Sequence, residues 1–180
     1  HWNTTPELCA RWYKIGAFYP LAINMNSRDN TVDQAPYSFA ADIKDEIQDA
    51  MATRYSLLRY FNTRLFKHSL WSDEIDDGGT FFKPLFFEFP EEEGAYDYMY
   101  RNAMLGPSIK LSLQSDTVLH GRNFKFYSPQ GVWCDIFNQT LGNATCHNIT
   151  TQYGADNYIN ITADTAAYLR EGHILPFQNA

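Results

Sequence analysis

Residues 105–113 read LGPSIKLSL, and the chain changes character across them. Gly106-Pro107 stops whatever precedes it. Ile109 to Leu113 then alternates apolar and polar side chains with the two-residue period of a strand half-buried in a sheet. Downstream the same short alternating segments recur as KFYS, VWCDIF, NYINIT, AAYL and HILPF, separated by turn residues. That spacing predicts antiparallel strands. Upstream the spacing is helical. The fold expected is therefore α/β followed by all-β, with a boundary at 106/107.

On the N-terminal side, Thr4-Thr5-Pro6-Glu7 is a helix start: hydroxyl caps, proline in the first turn, then an acid. The helix should stop at Phe18 or Tyr19, before Pro20. Residues 21–37 are polar and irregular and read as a long loop of the kind that often carries function. From Ser38, the residues Ile43, Ile47, Met51, Leu58, Phe61 and Leu65 form one apolar stripe and predict a helix over 39–69. Residues 80–90, TFFKPLFFEFP, predict a short buried strand ended by proline. Residues 96–105 predict a short helix.

Composition limits the function. The chain has 180 residues, 44% hydrophobic and 16% aromatic, enough for a buried core and one domain or one and a half. A net charge of −7 gives nucleic-acid binding no electrostatic support. No apolar run approaches the about 20 residues of a membrane span. The first residues, HWNTTPELC, lack a basic start and an apolar signal segment. Either a mature chain begins there after processing, or the residues continue something longer.

Five N-x-[ST] sequons, at Asn3, Asn138, Asn143, Asn148 and Asn160, point to a glycoprotein of the secretory pathway, bound for a lysosome-like compartment, a vesicle or the exterior. There Cys134 and Cys146 can close a small loop bearing two of the sequons. Cys9 is left over, either as a buried thiol or with a partner elsewhere.

No Cys-x-x-Cys pair, His-Glu-x-x-His motif, phosphate loop or serine elbow occurs. The histidines at 1, 68, 120, 147 and 173 lack metal-ligand spacing, and no cofactor is implied. His68 suits a helix C-terminus. Asp29 and Asp33 read as solvated loop acids. Glu88, inside an apolar segment, reads as a hydrogen-bonded structural acid, with a raised pKa and a catalytic role as the alternative. Nothing in their spacing makes the carboxylate pair, about 5–5.5 Å apart, of a retaining glycosidase.

Several stretches, in order, resemble glycoside hydrolase family 31, the family of lysosomal acid α-glucosidase and sucrase-isomaltase. They are NTTPELCARWYKIGAFYP (3–20), NMNS (24–27), DQAPYSF (33–39), RYSLL (54–58), KPLFFEFP (83–90), LGPS (105–108), FYSPQGVWCD (126–135) and LREGHILPFQ (169–178). The resemblance implies that 1–106 is the C-terminal portion of a (β/α)8 TIM barrel. Residues 107–180 would be a proximal antiparallel β-sandwich. It also implies that the nucleophile and acid/base aspartates lie upstream of any residue matched here, so this chain contributes no catalytic residue. A cysteine in an upstream Asp-x-Cys-Gly-Phe segment would pair with Cys9, and the partner expected is the upstream portion of the same hydrolase, in the same or a separately processed chain. α-Glucoside sugars are the expected ligand class.

Departures from the family bear on activity. Its Arg-Asn-His-Asn appears as Ile23-Asn24-Met25-Asn26, which places Ile23 and Met25 on the wall of the sugar pocket where a cation and a hydrogen-bonding histidine are usual. Methionine offers only a weak thioether acceptor. Ala35 and Lys83 replace a glutamate and an arginine of the family, and polar residues near Leu113-Gln114 replace its Pro-Val. Together these favour a degenerate, non-catalytic or scaffold subunit. The alternatives are part of an active retaining α-glucosidase, or a sugar-binding module.

Overall fold

The computed structural model describes residues 4–26, 33–69, 80–114, 124–137, 145–161 and 165–178; the side chains of 68, 69 and 124 are outside the description. Two compact units emerge. One comprises His1–Leu65 with Pro176–Ala180, the other Phe66–Leu175.

The first unit is helical among its described residues. Helix α1 spans Pro6–Gly16, with the Thr5 hydroxyl accepting from the Leu8 N–H at its N-terminus. It ends two or three residues short of expectation, and Ala17 and Phe18 turn back to donate to Tyr13 and Ile15 carbonyls. Helices α2 (Ala41–Ser56) and α3 (Leu58–Ser69) replace the single helix expected over 39–69. Leu57 breaks it. Its backbone lies at φ −94°, ψ −2°, and the Ser56 hydroxyl donates back to the Thr53 carbonyl at 2.7 Å, a local bond that competes with the helical ladder. Ser38 is not a cap either: it closes a 3₁₀ turn at Pro36–Ser38, and α2 starts three residues later without a side-chain cap.

The stripe expected to be core is only partly so. Ile47 and Phe61 are buried with Ala50, Leu57 and Tyr60, whereas Met51 is exposed. Lys14 of α1 pairs with Glu46 of α2 at 2.9 Å.

The second unit is antiparallel β. Its strands are β1 (Phe82–Lys83), β2 (Asn102–Leu105), β3 (Ile109–Leu113), β4 (Phe124–Tyr127), β5 (Gly131–Asp135), β6 (Cys146–Ile149), β7 (Tyr158–Ile161) and β8 (Thr165–Arg170). A six-stranded sheet runs β1-β2-β3-β8-β5-β6, and β4 pairs with β7 in a second sheet. One apolar cluster joins the two sheets, with Met104, Trp133, Ala166 and Tyr168 from the larger and Phe126, Ile159 and Ile161 from the smaller. The expected boundary at 106/107 lies at the turn between β2 and β3, which pair with each other from Asn102↔Ser112 to Leu105↔Ile109.

Three local expectations need correction. Within 80–90 only Phe82–Lys83 is strand. Pro84 has no N–H for a ladder, and Leu85–Phe87 coils into a 3₁₀ turn. The helix expected over 96–105 is two short 3₁₀ turns and then β2. Tyr98 sits in the left-handed region (φ 47°, ψ 46°) and diverts the chain, and Asn102–Leu105 takes its hydrogen bonds from β3. HILPF forms no strand: Gly172 (φ 73°) turns the chain out of β8 and Ile174 is exposed. Conversely CHNI, unforeseen as strand, is β6. It is tied to β5 by the Cys134–Cys146 disulfide between directly opposed residues.

β3 is buried along its whole length. Its Lys110 is fully enclosed, donates to the Ser112 hydroxyl at 2.5 Å, and lies 5.5 Å from the centre of the Tyr168 ring. Ser112 in turn donates to Asn102 Oδ1 at 3.1 Å. Desolvation lowers the Lys110 pKa to about 7.

Candidate functional site

The first unit holds a cleft of about 660 Å³ whose wall is built by α1, the segment after it and α2. Trp12 and Tyr13 face it from α1, Tyr19, Leu21, Ile23, Asn24 and Met25 from the segment, and Met51, Arg54 and Tyr55 from α2. The spacing of α1 explains part of this. Residues 9, 12, 13 and 16 fall on one side of a 3.6-residue helix, and all four line the cleft.

Arg54 organises the wall. Its guanidinium donates to four carbonyls at and just past the end of α1: Gly16 (3.2 Å), Ala17 (3.3 Å), Tyr19 (2.6 Å) and Pro20 (3.2 Å). These are helix-end and turn acceptors that a cation satisfies well. The segment is then pinned from its other end. Asn24 Nδ2 donates to the Tyr13 hydroxyl at 2.8 Å and to the Gln34 carbonyl at 2.9 Å, and the Gln34 amide donates to the Thr4 hydroxyl at 3.0 Å. Between these anchors Ile23 and Met25 stand open, 65% and 77% exposed.

The described lining residues include no aspartate, glutamate or histidine. Among the described lining residues the only charged group is Arg54, and its donors are directed at backbone. Cys9 is free and buried at the wall, and burial raises its thiol pKa, which disfavours the thiolate. Burial also raises the Tyr13 hydroxyl, opposed by the hydrogen bond from Asn24. This wall offers hydrogen bonds and aromatic surface to a ligand. Among the described lining residues there is no carboxylate or imidazole to exchange a proton near neutral pH.

Of the other acids singled out in the sequence, Asp33 and Glu88 are held by local bonds. Asp33 accepts from the Ala35 N–H and the Tyr37 hydroxyl, both at 2.9 Å; these bonds hold its carboxyl below the usual range and push the Tyr37 phenol up. Glu88 is shared between Lys83 (2.5 Å) and Arg170 (3.0 Å), whose guanidinium lies 4.6 Å over the Phe89 ring. His147 packs edge-on against Tyr168, and His173 Nδ1 is 3.1 Å from the Ser108 hydroxyl. Among the described residues no three His, Cys, Asp or Glu side chains gather as metal ligands, and no helix is long and apolar enough to cross a membrane. Asp29, His1, His120 and the sequons at Asn3, Asn138 and Asn143 lie outside the described residues, as does the side chain of His68. Asn148 and Asn160 are exposed.

Sequence reasoning did not assign Arg54. It lies in RYSLL, one of the stretches that carry the family resemblance, but only the fold brings it under the carbonyls at 16–20.

Comparison with known proteins agrees across the chain. Residues 1–64 match the glycosyl hydrolases family 31 TIM-barrel domain, and 78–175 match the family 31 C-terminal domain. The chain is 31% identical to lysosomal alpha-glucosidase of Rattus norvegicus over 98% of its own length and 19% of the relative's. It is 30% identical to human intestinal sucrase-isomaltase over 98% of its length and 9% of that protein. It thus spans less than a fifth of these relatives. Among solved structures, a family 31 dextranase of Flavobacterium johnsoniae complexed with glucose superposes with a TM-score of 0.74 at 19% identity, covering 96% of this chain and 19% of the dextranase. At that identity the likeness speaks for the fold alone.

Proposed function

Because this chain belongs to glycosyl hydrolase family 31, we propose that it is part of a secretory-pathway α-glucosidase-like glycoprotein with a degenerate sugar subsite, serving as a non-catalytic or scaffold subunit. The observation that carries this reading is the pair Ile23 and Met25. Both stand open on the cleft wall, at the positions where the family resemblance expects a cation and a hydrogen-bonding histidine. A buried sugar hydroxyl left without its partner costs about 1–3 kcal/mol, and two such losses in one subsite weaken binding by orders of magnitude.

The partner in this reading is the upstream portion of the same hydrolase, which supplies the remaining barrel strands and a cysteine for Cys9. The odd cysteine count and the place of Cys9 at the cleft wall support that pairing. The sequons and the Cys134–Cys146 disulfide support the secretory route, and the lysosomal relatives favour a lysosome-like destination. Support for the domain division is split: composition favours 106/107, whereas family matches and chain contacts favour a division between 64 and 78.

A second reading, an active retaining α-glucosidase with its aspartates upstream, is favoured by 31% identity over nearly the whole chain. Calorimetric titration of the full polypeptide with maltose separates the two. The degenerate reading expects no saturable binding at millimolar sugar. Saturable binding abolished by a glucosidase inhibitor overturns it.

A further inference from the structure

The second unit has four strands that end a sheet among the described residues: β1 and β6 in the larger sheet, and both β4 and β7 in the smaller. Exposed edges invite pairing with another chain, and proteins guard them with short strands, lysine or proline. β1 is guarded in all three ways, being two residues long, containing Lys83 and running into Pro84. β4 carries Lys125.

β6 and β7 have none of these devices. From Thr145 to Tyr153 there is no Lys, Arg, Asp, Glu or Pro, and the same holds from Tyr158 to Thr162. Such uncharged, proline-free segments are the kind that template strand addition. Each holds one sequon, Asn148-Ile-Thr and Asn160-Ile-Thr, and both asparagines are exposed.

The register places Asn148 at the vulnerable spot. The Asp135 N–H donates to the Thr145 carbonyl, so residue 145 faces β5. Facing alternates along an antiparallel strand, so 147 and 149 face β5 as well, and the peptide groups of Cys146 and Asn148 point out of the open edge. In β7, Asn160 stands exposed between the buried Ile159 and Ile161, on the side away from the core.

We propose that N-linked glycans on Asn148 and Asn160 are the edge guards of this β unit, in place of the charge and proline that its other edge strands carry. A glycan at each site projects a bulky hydrated chain beside the open backbone and blocks approach of a second strand. The idea rests on the secretory-glycoprotein reading above.

The test uses the full natural polypeptide secreted from a glycosylating eukaryotic host. Glycopeptide mass mapping should find both asparagines occupied. The N148Q/N160Q variant should shift from the native oligomeric state to larger species by light scattering. The N148K/N160K variant, equally free of glycan but charged, should keep the native state. Vacant sites at 148 and 160 with glycans at other sequons overturn the proposal, and no glycan at any sequon overturns the glycoprotein reading itself. Occupied sites with an unchanged Gln variant overturn the guarding role alone. If both variants aggregate alike, charge has not replaced glycan and the edge argument fails.

Discussion

Lys110 is the residue with the sharpest thermodynamic consequence. It is enclosed in β3 among Ser112, Asn102 and the Tyr168 ring, and burial brings its pKa to about 7. Unfolded, the lysine has its ordinary value near 10.4. Between these values the unfolded chain binds a proton that the folded chain does not, so stability rises with pH from about 7 to about 10. Below pH 7 the full penalty applies, on the order of several kcal/mol at about 1.4 kcal/mol per pKa unit. K110M should flatten this slope and raise the urea midpoint at pH 6 more than at pH 10. Equal shifts at both pH values would show that Lys110 is charged in both states. The alternation IKLSL marked this strand in the sequence, and alternation ordinarily puts the polar positions at a solvated face. They are buried instead, because β3 is flanked on both sides by β2 and β8 and covered on both faces.

A second residue prediction concerns Gly94. A Cβ there would collide with the ring of Tyr127, which is buried and held by hydrogen bonds to Glu92 and the Gln152 carbonyl. G94A should lower the melting temperature, at a cost of about 1–3 kcal/mol or more for overpacking. An unchanged melt would mean that the 93–96 turn yields freely.

At the scale of elements, local signals and tertiary partners disagreed in a consistent way. The start of α1 was legible because its cap is chemical: Thr5, Pro6 and Glu7 announce it. The break between α2 and α3 was not, since Leu57 fits the apolar stripe and only its buried packing and the Ser56–Thr53 bond interrupt the helix. β2 was mistaken for helix because Asn102–Leu105 has no alternation to show; it is buried at every position. Of the cleft, the sequence marked residues 21–37 as a loop of the kind that carries function, whereas its organiser, Arg54, came from α2.

Arg54 carries the element-scale prediction. R54A removes four hydrogen bonds to the 16–20 carbonyls. Hydrogen exchange at residues 17–26 should accelerate, and global stability should fall by about 1–3 kcal/mol given the partial exposure of the site. Unchanged exchange would show that the Asn24 and Gln34 contacts alone hold the wall. The Cys134–Cys146 cross-link has the second. It closes a short loop, 12 residues apart, and its C134S/C146S removal should cost about 2–4 kcal/mol in chemical denaturation.

For the whole molecule, the family was legible in eight ordered stretches, and the match spans both a barrel portion and a C-terminal domain. Catalysis was never legible from this chain. The retaining reaction needs two carboxylates, and none is among the described residues that line the cleft. Ile23 and Met25 therefore decide between the two readings of the cleft. The most direct measurement is kcat/KM of the complete polypeptide on maltose and on a chromogenic α-glucoside, beside the I23R/M25H variant. The degenerate-subsite account predicts no turnover above the blank for the natural protein. Efficient glucose release by the natural protein, little altered in the variant, would contradict it.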